Sequence, residues 1–351
     1  MKKVEHFFKN LALDAFMAVQ AKKSAADPPH LTPADTVVFL RLNRIGDALV
    51  STPLIQYLKQ RFGCRTVVVA DVQNHFVYDN NPDVDHVVVY RKGPLGIWNA
   101  RQEAQAYAPT VVIDLHEQLS TTVSLLAGLL RAPYKVAIQK RNASLFTHTV
   151  PNLDPARHHV VERLAHLGTV FGPTAQPSAL RVSYQVSAGA TRQAQDFLRT
   201  AFPGAHRFIG INTSAGGEAR FWGVENYQRL AAALRAQGLT PVVLTAPADW
   251  ERVTRGIAPA QVFCSPSFEV FAAVISQMTV LFSPDTSAVH VAAAYQIPVF
   301  GLYVAERVGH LNWHPYGSRY EWIITPDAVS DIPFEQAWEH FSQFLAALQI
   351  T

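Results

Sequence analysis

A chain of 351 residues that is 49% hydrophobic and only 16% charged is long enough to bury the cores of two domains. Its two cysteines, Cys64 and Cys264, are far apart and lack metal-ligand spacing, which excludes a disulfide framework and predicts a reduced, cytoplasmic protein. No apolar run reaches the roughly 20 residues of a membrane span, and no secretory signal is visible.

The net charge of +3 is unevenly distributed. Residues 1–180 carry 19 Lys and Arg against 14 Asp and Glu, whereas residues 181–351 carry 11 against 13 and no lysine. The N-terminal half is therefore expected to face an acidic partner, such as a phosphorylated lipid or glycan acceptor. Nucleic acid is not the expected partner, because the sequence has no basic helix, zinc-ligand spacing or RNP-like aromatic set.

Residues 1–35 differ from the rest of the chain and are predicted to form a basic amphipathic extension followed by a linker. The apolar positions at near-helical spacing are Phe7, Phe8, Leu11, Ala15, Phe16 and Val19, and the flanking lysines are Lys2, Lys3, Lys9, Lys22 and Lys23. A helix of this kind either makes a peripheral contact with the inner face of an anionic cytoplasmic membrane or packs on the body of the protein. The sequence leaves both alternatives open.

Residues 36–180 are predicted to form an N-terminal Rossmann-like domain, because short runs rich in β-branched residues alternate there with helical segments. The predicted strands are Val37–Leu42, Thr66–Ala70, Val87–Tyr90, Val111–Leu115 and Lys135–Ile138, and the predicted helices are Leu54–Phe62, Ile97–Tyr107 and Leu119–Leu130. This alternation indicates a mostly parallel, doubly wound α/β sheet.

Residues 181–330 are predicted to form a second Rossmann-like domain. Its strands are Phe208–Asn212, Pro241–Thr245, Val262–Cys264, Val280–Phe282, Val299–Tyr303 and Trp322–Thr325, and its helices are Ala190–Ala201, Val224–Gln237, Asp249–Gly256, Ser267–Gln277 and Thr286–Tyr295. Ligands of such sheets bind beyond the carboxyl ends of the strands, so the two domains are expected to face each other across a cleft. A last helix within residues 331–351 has an apolar face and is expected to pack back toward the N-terminal domain.

The most informative polar stretch is the turn between the predicted strand Val280–Phe282 and the helix after it. Asp285, Thr286 and Ser287 lie at the helix N-terminus, whose free amides and positive dipole end suit an anion such as a diphosphate. His290 follows about one turn later on the same side. The alternative interpretation is an ordinary N-cap with a histidine buried in the fold.

Gly46 and Asp47 follow the first predicted strand. The glycine permits a tight strand-to-helix turn, and Asp47 then stands at the start of a helix. An aspartate there is either an N-cap or a carboxylate that takes a proton from an acceptor hydroxyl as a general base.

The loop from Thr213 to Trp222 follows the first strand of the second domain. Thr213, Ser214 and two glycines provide hydroxyls and backbone N–H groups that suit a phosphate, and Arg220 adds a positive charge. The alternative is a flexible loop with an exposed arginine.

Four further side chains are weaker candidates. Asp114 and His116 end a predicted strand and are expected to point toward the cleft. Asp249 and Glu251 follow the strand Pro241–Thr245 and are candidates for binding a ribose or sugar hydroxyl. A lone aspartate or histidine at the position of Asp114 or His116 is more often structural, and surface charges on an amphipathic helix explain Asp249 and Glu251 equally well.

Together these motifs resemble, in order and spacing, glycosyltransferase family 9, the ADP-heptose:lipopolysaccharide heptosyltransferases. The resemblance runs from about Val37 to Thr325 and includes the segments Val112–His116 and His159–Leu164. It implies a GT-B fold, in which residues 36–180 form the acceptor domain and residues 181–330 the nucleotide-sugar donor domain.

The resemblance also implies a reaction. A sugar, with heptose as the leading candidate, is transferred from a nucleotide-diphosphate donor such as ADP-heptose to lipopolysaccharide core or a related cell-envelope glycan. The transfer inverts the anomeric carbon and needs neither a metal nor another cofactor. By this resemblance Asp47 is the base, and Thr286 and Ser287 stabilise the charge on the leaving diphosphate.

The remaining roles follow from the same resemblance. The donor would be held by Thr213, Ser214, Arg220, Asp285, Thr286, Ser287 and His290. Ser287 stands where the family commonly has glycine, and Arg220 where lysine is frequent. Asn43 and Arg44 replace a small, hydroxyl-rich turn, which makes them candidates for binding the acceptor, together with Asp114 and His116.

Two other function classes compete with a transferase. A nucleotide-sugar epimerase of the same fold would need further acid and base residues, and the sequence shows no convincing pair. A non-catalytic nucleotide-sugar or glycan-binding protein would have an Asp47 that is only an N-cap, turned away from the cleft.

Overall fold

The computed structural model describes residues 13–20, 27–173, 176–305 and 313–350. The chain divides into two compact units, Met1–Ser183 and Tyr184–Thr351. Each unit has its own parallel sheet and its own buried apolar core.

The N-terminal unit is a six-stranded parallel sheet with the strand order β3-β2-β1-β4-β5-β6. The strands are β1 Thr36–Arg41, β2 Arg65–Asp71, β3 His86–Tyr90, β4 Val111–Asp114, β5 Tyr134–Ile138 and β6 His148–Val150. The helices are α1 (residues 13–20), α2 Ile45–Leu49, α3 Thr52–Phe62, α4 Pro94–Ala106, α5 Thr121–Leu129 and α6 Val160–Ala165. The order reverses between β1 and β4, as in doubly wound folds.

The apolar composition of the central strands explains this architecture. Every residue of β1 and β4 is buried, as expected where helices cover both faces of a parallel sheet. The crossover helix α3 returns the chain to the next strand and ends at Gly63, whose φ of 64° is left-handed and favours glycine. The short edge strand β6 extends the sheet beyond the five strands that the sequence predicts.

Helix α1 packs on the N-terminal unit. Leu13 and Met17 are buried in its core. The Phe16 ring packs so closely on Gly128 that a side chain at that position would collide with it. Asp14 forms an ion pair with Arg141 at 2.5 Å. The second alternative for this extension, packing on the body of the protein, therefore holds for residues 13–20.

The buried face of α1 differs from the predicted one. Ala15 and Val19 are exposed, because positions 13 and 17 are one helical turn apart and face the sheet instead. Phe7, Phe8 and Leu11 lie outside the described residues.

The C-terminal unit repeats the topology, with the strand order β12-β11-β10-β7-β8-β9. The strands are β7 Phe208–Asn212, β8 Thr240–Thr245, β9 Val262–Cys264, β10 Val280–Pro284, β11 Val299–Val304 and β12 Tyr320–Thr325. The helices are α7 Ala188–Ala201, α8 Val224–Ala236, α9 Trp250–Thr254, α10 Phe268–Ile275, α11 Ser287–Ala294 and α12 Phe334–Ala347. Here the order reverses between β7 and β10.

The last helix, α12, packs on the sheet of the C-terminal unit. Its contact with the N-terminal domain stays a prediction. The Phe341 ring of α12 contacts the rings of Phe282 and Phe300, with centroids 5.1 and 5.2 Å apart. Phe344 and Leu345 belong to the same C-terminal core. The helix thus buries its apolar face on the sheet of the C-terminal unit, as its amphipathic pattern requires.

Candidate functional site

Each sheet has a switch point, where the chain leaves two adjacent strands toward opposite faces of the sheet. The crevice that this leaves at the carboxyl ends of the strands is where open α/β sheets bind ligands. In the N-terminal unit it lies beyond β1 and β4, and in the C-terminal unit beyond β7 and β10. Asp47 follows β1 and Asp285 follows β10. The two strongest sequence motifs therefore lie at the two switch points.

Asp47 is not an N-cap. The capping position of α2 is Arg44, whose side chain makes no capping hydrogen bond, and Asp47 lies in the first turn of the helix. Its Oδ1 accepts a hydrogen bond from Nη2 of Arg41 at 3.1 Å, and its carbonyl accepts one from Arg41 Nε at 2.9 Å. Because the Asp47 side chain is 21% exposed while that of Arg41 is 2% exposed, the carboxylate is held in place but remains accessible to a ligand.

Arg41 and Asn74 hold this turn, and the sequence analysis gave neither a role. The third donor of Arg41, Nη1, binds the carbonyl of Leu115 beyond β4. Asn74 is fully buried, and its Nδ2 donates to the carbonyls of Arg41 at 3.1 Å and Asn43 at 2.8 Å. The sequence feature that could have drawn attention to Arg41 is its charge at the end of an otherwise apolar strand.

Asp114 and His116 do not reach a surface, which corrects their predicted contact with an acceptor. Both are 1% exposed. Asp114 Oδ1 lies 2.9 Å from His116 Nδ1, Asp114 Oδ2 accepts from Lys140 Nζ at 2.8 Å, and His116 Nε2 accepts from the Leu42 amide at 3.2 Å. These bonds use both ring nitrogens and both carboxylate oxygens inside the unit, so the pair positions the end of β1.

The charge states of this pair follow from its surroundings. Burial raises the pKa of Asp114, but the Lys140 charge and the His116 hydrogen bond outweigh burial and hold the pKa at about 2. Burial lowers the pKa of His116 more than the Asp114 carboxylate raises it. A neutral imidazole is what the geometry requires, because Nε2 accepts a hydrogen bond.

Asp114 is expected to make the protein sensitive to acid. Its pKa falls from 3.8 to about 2 on folding, so the ionised carboxylate contributes about 2 kcal/mol of stability above pH 4. That contribution is lost as the pH falls through 3.8 toward 2. Urea unfolding measured across this range is expected to show the loss in the wild type, and a flatter pH dependence in Asp114→Asn.

The control is Asp196→Asn, which removes a carboxylate that is 68% exposed. It should retain the wild-type pH dependence. An Asp114→Asn variant with the same pH dependence as the wild type would show that this carboxylate does not contribute to the acid transition.

Asn43 and Arg44 are both exposed and immediately precede α2. They lie next in the chain to the turn that positions Asp47. Their contact with an acceptor stays a prediction.

The C-terminal switch point is organised by Asn212, the last residue of β7. It is fully buried, and its Nδ2 donates to Ser283 Oγ at 2.9 Å and Thr286 Oγ1 at 3.0 Å. Thr286 is the N-cap of α11 and its hydroxyl accepts from the Ala288 amide at 3.3 Å. Asn212 thus joins β7 to the first turn of α11, and Ser287 opens the helix at a half-buried position.

Arg220 and Asp285 meet at the same crevice. Arg220 Nη2 lies 3.2 Å from Asp285 Oδ2, and Nη1 donates to the Asp285 carbonyl at 2.5 Å. The two side chains are 16% and 19% exposed. The loop after β7 is therefore attached to the turn after β10 by an ion pair that a ligand can still reach.

Thr213 does not face the crevice, which corrects its predicted contact with a donor. It is fully buried, and both its amide and its hydroxyl donate to the carbonyl of Leu244, at 2.8 and 3.1 Å. Ser214 differs, because its hydroxyl has no hydrogen-bond partner in the described part of the chain. Its amide donates to Asn212 Oδ1 at 3.1 Å.

The other three predicted donor residues differ in their surroundings: His290 is buried, Asp249 is paired and Glu251 is exposed. His290 is 2% exposed and its ring packs edge-on against Trp313, with centroids 5.8 Å apart. Asp249 accepts from Arg252 Nη2 at 3.2 Å, whereas Glu251 is exposed on α9. A direct contact of these three with a donor stays a prediction.

The sequence model of Glycosyltransferase family 9 (heptosyltransferase) matches residues 97–332, two thirds of the chain. The chain belongs to glycosyltransferase family 9. It is therefore a glycosyltransferase, as predicted. Asp47 precedes the matched range, so its role does not follow from this match.

Known proteins resemble this glycosyltransferase over most of its length. The lipopolysaccharide core heptosyltransferase OpsX of Haemophilus influenzae is 21% identical over 286 residues. The match covers 76% of this chain and 78% of OpsX. A family 9 glycosyl transferase of Veillonella parvula superposes with a TM-score of 0.79 at 20% identity, covering 93% of this chain and 100% of the other. ADP-heptose lipopolysaccharide heptosyltransferase II of Escherichia coli superposes with a TM-score of 0.72 at 18% identity, covering 90% and 99%.

These superpositions confirm the predicted α/β, GT-B fold class of the glycosyltransferase. Over the ranges 13–20, 27–173, 176–305 and 313–350, no helix is long and apolar enough to cross a membrane. The same ranges contain no group of three or more His, Cys, Asp or Glu side chains placed to hold a metal ion.

Proposed function

We propose that this glycosyltransferase moves a heptose from ADP-heptose to lipopolysaccharide core on the cytoplasmic side of the inner membrane. The family, the lipopolysaccharide core heptosyltransferase OpsX and the ADP-heptose lipopolysaccharide heptosyltransferase II of E. coli support the donor and the acceptor class. The observation that carries the proposal is the Asp47 carboxylate. It is accessible at the N-terminal switch point and fixed through Oδ1 alone among the described residues.

This arrangement suits a general base. Arg41 orients the carboxylate, and Oδ2 remains for the hydroxyl of the acceptor. In the proposed step Asp47 takes the proton of that hydroxyl as its oxygen bonds to the anomeric carbon of the heptose. The bond from that carbon to the diphosphate breaks, ADP leaves, and attack from the opposite side inverts the anomeric configuration.

The C-terminal switch point suits the diphosphate. The first amides of α11 and the hydroxyls of Thr286 and Ser287 offer hydrogen bonds and the positive end of a helix dipole. Arg220 adds a cation, although its pairing with Asp285 makes the two together nearly neutral. We therefore assign most of the stabilisation of the leaving group to the helix end, which is how the reaction proceeds without a metal.

The competing binding-protein hypothesis is disfavoured by the same residue. Its hallmark is an Asp47 that only caps a helix, whereas the cap position of α2 is Arg44.

The proposal is tested by a thermal-shift screen followed by a transfer assay. ADP and ADP-heptose are expected to raise the melting temperature more than UDP- or GDP-sugars, because a ligand that binds only the folded state stabilises it. With heptose-deficient lipopolysaccharide as acceptor, EDTA should leave the rate unchanged, and NMR of the product should show the inverted anomeric configuration.

Thr286→Ala separates the donor site from the rest of the proposal. Removal of the hydroxyl is expected to weaken ADP binding by about tenfold, while Thr254→Ala on α9 serves as the matched control. Equal ADP affinity for Thr286→Ala and the wild type would move the diphosphate away from this turn. Transfer from another nucleotide sugar, or loss of activity in EDTA, would contradict the proposed reaction.

A further inference from the structure

Two strongly exposed apolar side chains lie together on helix α4 of the N-terminal unit. Among the described residues, the three most exposed large apolar side chains are Val19 at 82%, Leu95 at 72% and Trp98 at 53%. Leu95 and Trp98 are three positions apart in α4 and share one face of the helix. An exposed tryptophan beside an exposed leucine is unusual on a surface that meets only water.

This surface borders a groove. Trp98 lines a cavity of about 870 Å³ together with Gln20, the last described residue of α1, and Arg131 after α5. Leu95 lies three positions before Trp98 on the same face of α4, so the two form one exposed apolar patch beside this groove. We call Leu95, Trp98, Arg101 and Arg131 the α4 surface.

The α4 surface is basic. The Arg101 guanidinium lies over the Trp98 ring, 5.8 Å from its centroid, and Arg131 is exposed at the groove. Neither arginine forms an ion pair with a carboxylate of a described residue. The one acidic residue of α4, Glu103, is five positions from Trp98 and about 140° around the helix from it.

We propose that the α4 surface docks on an anionic lipid bilayer. Trp98 and Leu95 enter the interfacial layer, where tryptophan is favoured, and the arginines lie among the lipid phosphates. The occupant we commit to is a lipid surface, because its phosphates complement two arginines that no carboxylate of a described residue neutralises.

This assignment differs from the membrane contact of the N-terminal extension, which the sequence offers as one of two alternatives. In α1, Leu13 and Met17 are buried in the core of the unit. The apolar positions 13 and 17 of α1 are thus already used, whereas Leu95 and Trp98 of α4 remain largely exposed. The inference stands on this surface alone and does not depend on the donor or acceptor of the reaction.

The charge of the surface is tested by sedimentation of the full chain with vesicles. Phosphatidylcholine vesicles are compared with vesicles that also contain phosphatidylglycerol. Arg101→Gln/Arg131→Gln is expected to lower binding to the anionic vesicles by roughly 10- to 30-fold. Arg157→Gln/Arg199→Gln changes the net charge equally at two other exposed arginines and should bind like the wild type.

The apolar contact is tested with brominated lipids, which quench tryptophan that enters the bilayer. Wild-type fluorescence should be quenched, and Trp98→Phe should still bind but lose most of the quenching. Leu95→Ser/Trp98→Ser should lose binding, whereas Ile324→Ser, which removes another exposed apolar side chain, should not.

Three results would overturn the proposal. They are a wild-type chain that stays in the supernatant, variants of the α4 surface that bind like the wild type, and binding with unchanged quenching in Trp98→Phe. Self-association that depends on Trp98, without vesicle binding, would assign the surface to a second copy of the chain. Melting temperatures of all variants establish that they fold.

Discussion

Replacing Asp47 with asparagine is expected to lower kcat for sugar transfer by roughly 10²- to 10⁴-fold, the usual contribution of a general base. Asparagine has the same shape and can still accept the hydrogen bond from Arg41, but it cannot take the acceptor proton. Binding of ADP should stay within about twofold of the wild type, because the proposed nucleotide site belongs to the other unit. The measurements are kcat, the Kd for ADP and the melting temperature.

A matched control for Asp47→Asn is Asp154→Asn. Asp154 is 54% exposed and pairs only with Arg157 among the described residues, so its loss should leave kcat unchanged. If Asp47→Asn transferred sugar at the wild-type rate, the assignment of Asp47 as the base would be wrong. If kcat fell together with a large drop in melting temperature, the carboxylate would be structural, serving mainly to pair the buried Arg41.

Replacing Trp222 with alanine is expected to destabilise the protein by about 3–5 kcal/mol. Trp222 closes the loop after β7 and is 1% exposed. Its ring contacts those of Tyr227, Phe282 and Phe334 at centroid distances between 5.3 and 6.1 Å, and its Nε1 donates to the Ile332 carbonyl at 2.8 Å. The alanine variant leaves a cavity and an unsatisfied carbonyl, measurable by chemical denaturation.

The control for this prediction is Trp222→Phe. Phenylalanine keeps most of the ring contacts but lacks the N–H, so the expected cost is smaller, about 1–2 kcal/mol. Equal stability of Trp222→Ala and the wild type would show that the loop is not anchored through this residue. Because Trp222 connects the loop to the segment before α12, the alanine variant should also weaken ADP binding.

Periodicity in the sequence predicted most of the fold, because a buried parallel strand is a short apolar run and its crossover helix is amphipathic. The bounds of β7 and β9 agree with the prediction to the residue. The edge strand β6 was missed, since its sequence His-Thr-Val has one apolar residue and therefore shows no apolar run, unlike Val-Phe-Cys in β9. The packing of α12 on the C-terminal core was not predicted, because an apolar stripe does not specify the surface that covers it.

The site was predicted unevenly. Asp47 and Asp285 could be placed at strand ends from sequence, since the position of a loop after a parallel strand follows from the topology. Thr213, Asp114 and His116 occupy similar positions, yet their polar atoms are satisfied inside the units. Asn212 and Arg41, which hold the two turns, have no recognisable motif of their own.

The two doubly wound sheets, the order of the motifs and the family resemblance could be predicted from the sequence, because they depend on local pattern and spacing. Which polar side chains remain accessible became clear only from the folded structure. His116 is sequestered by the Leu42 amide, 74 positions away, and Asp114 by Lys140, 26 positions away. Such partners meet only when the strands are assembled, so burial and charge pairing at the site cannot be deduced from a residue's neighbours in the chain.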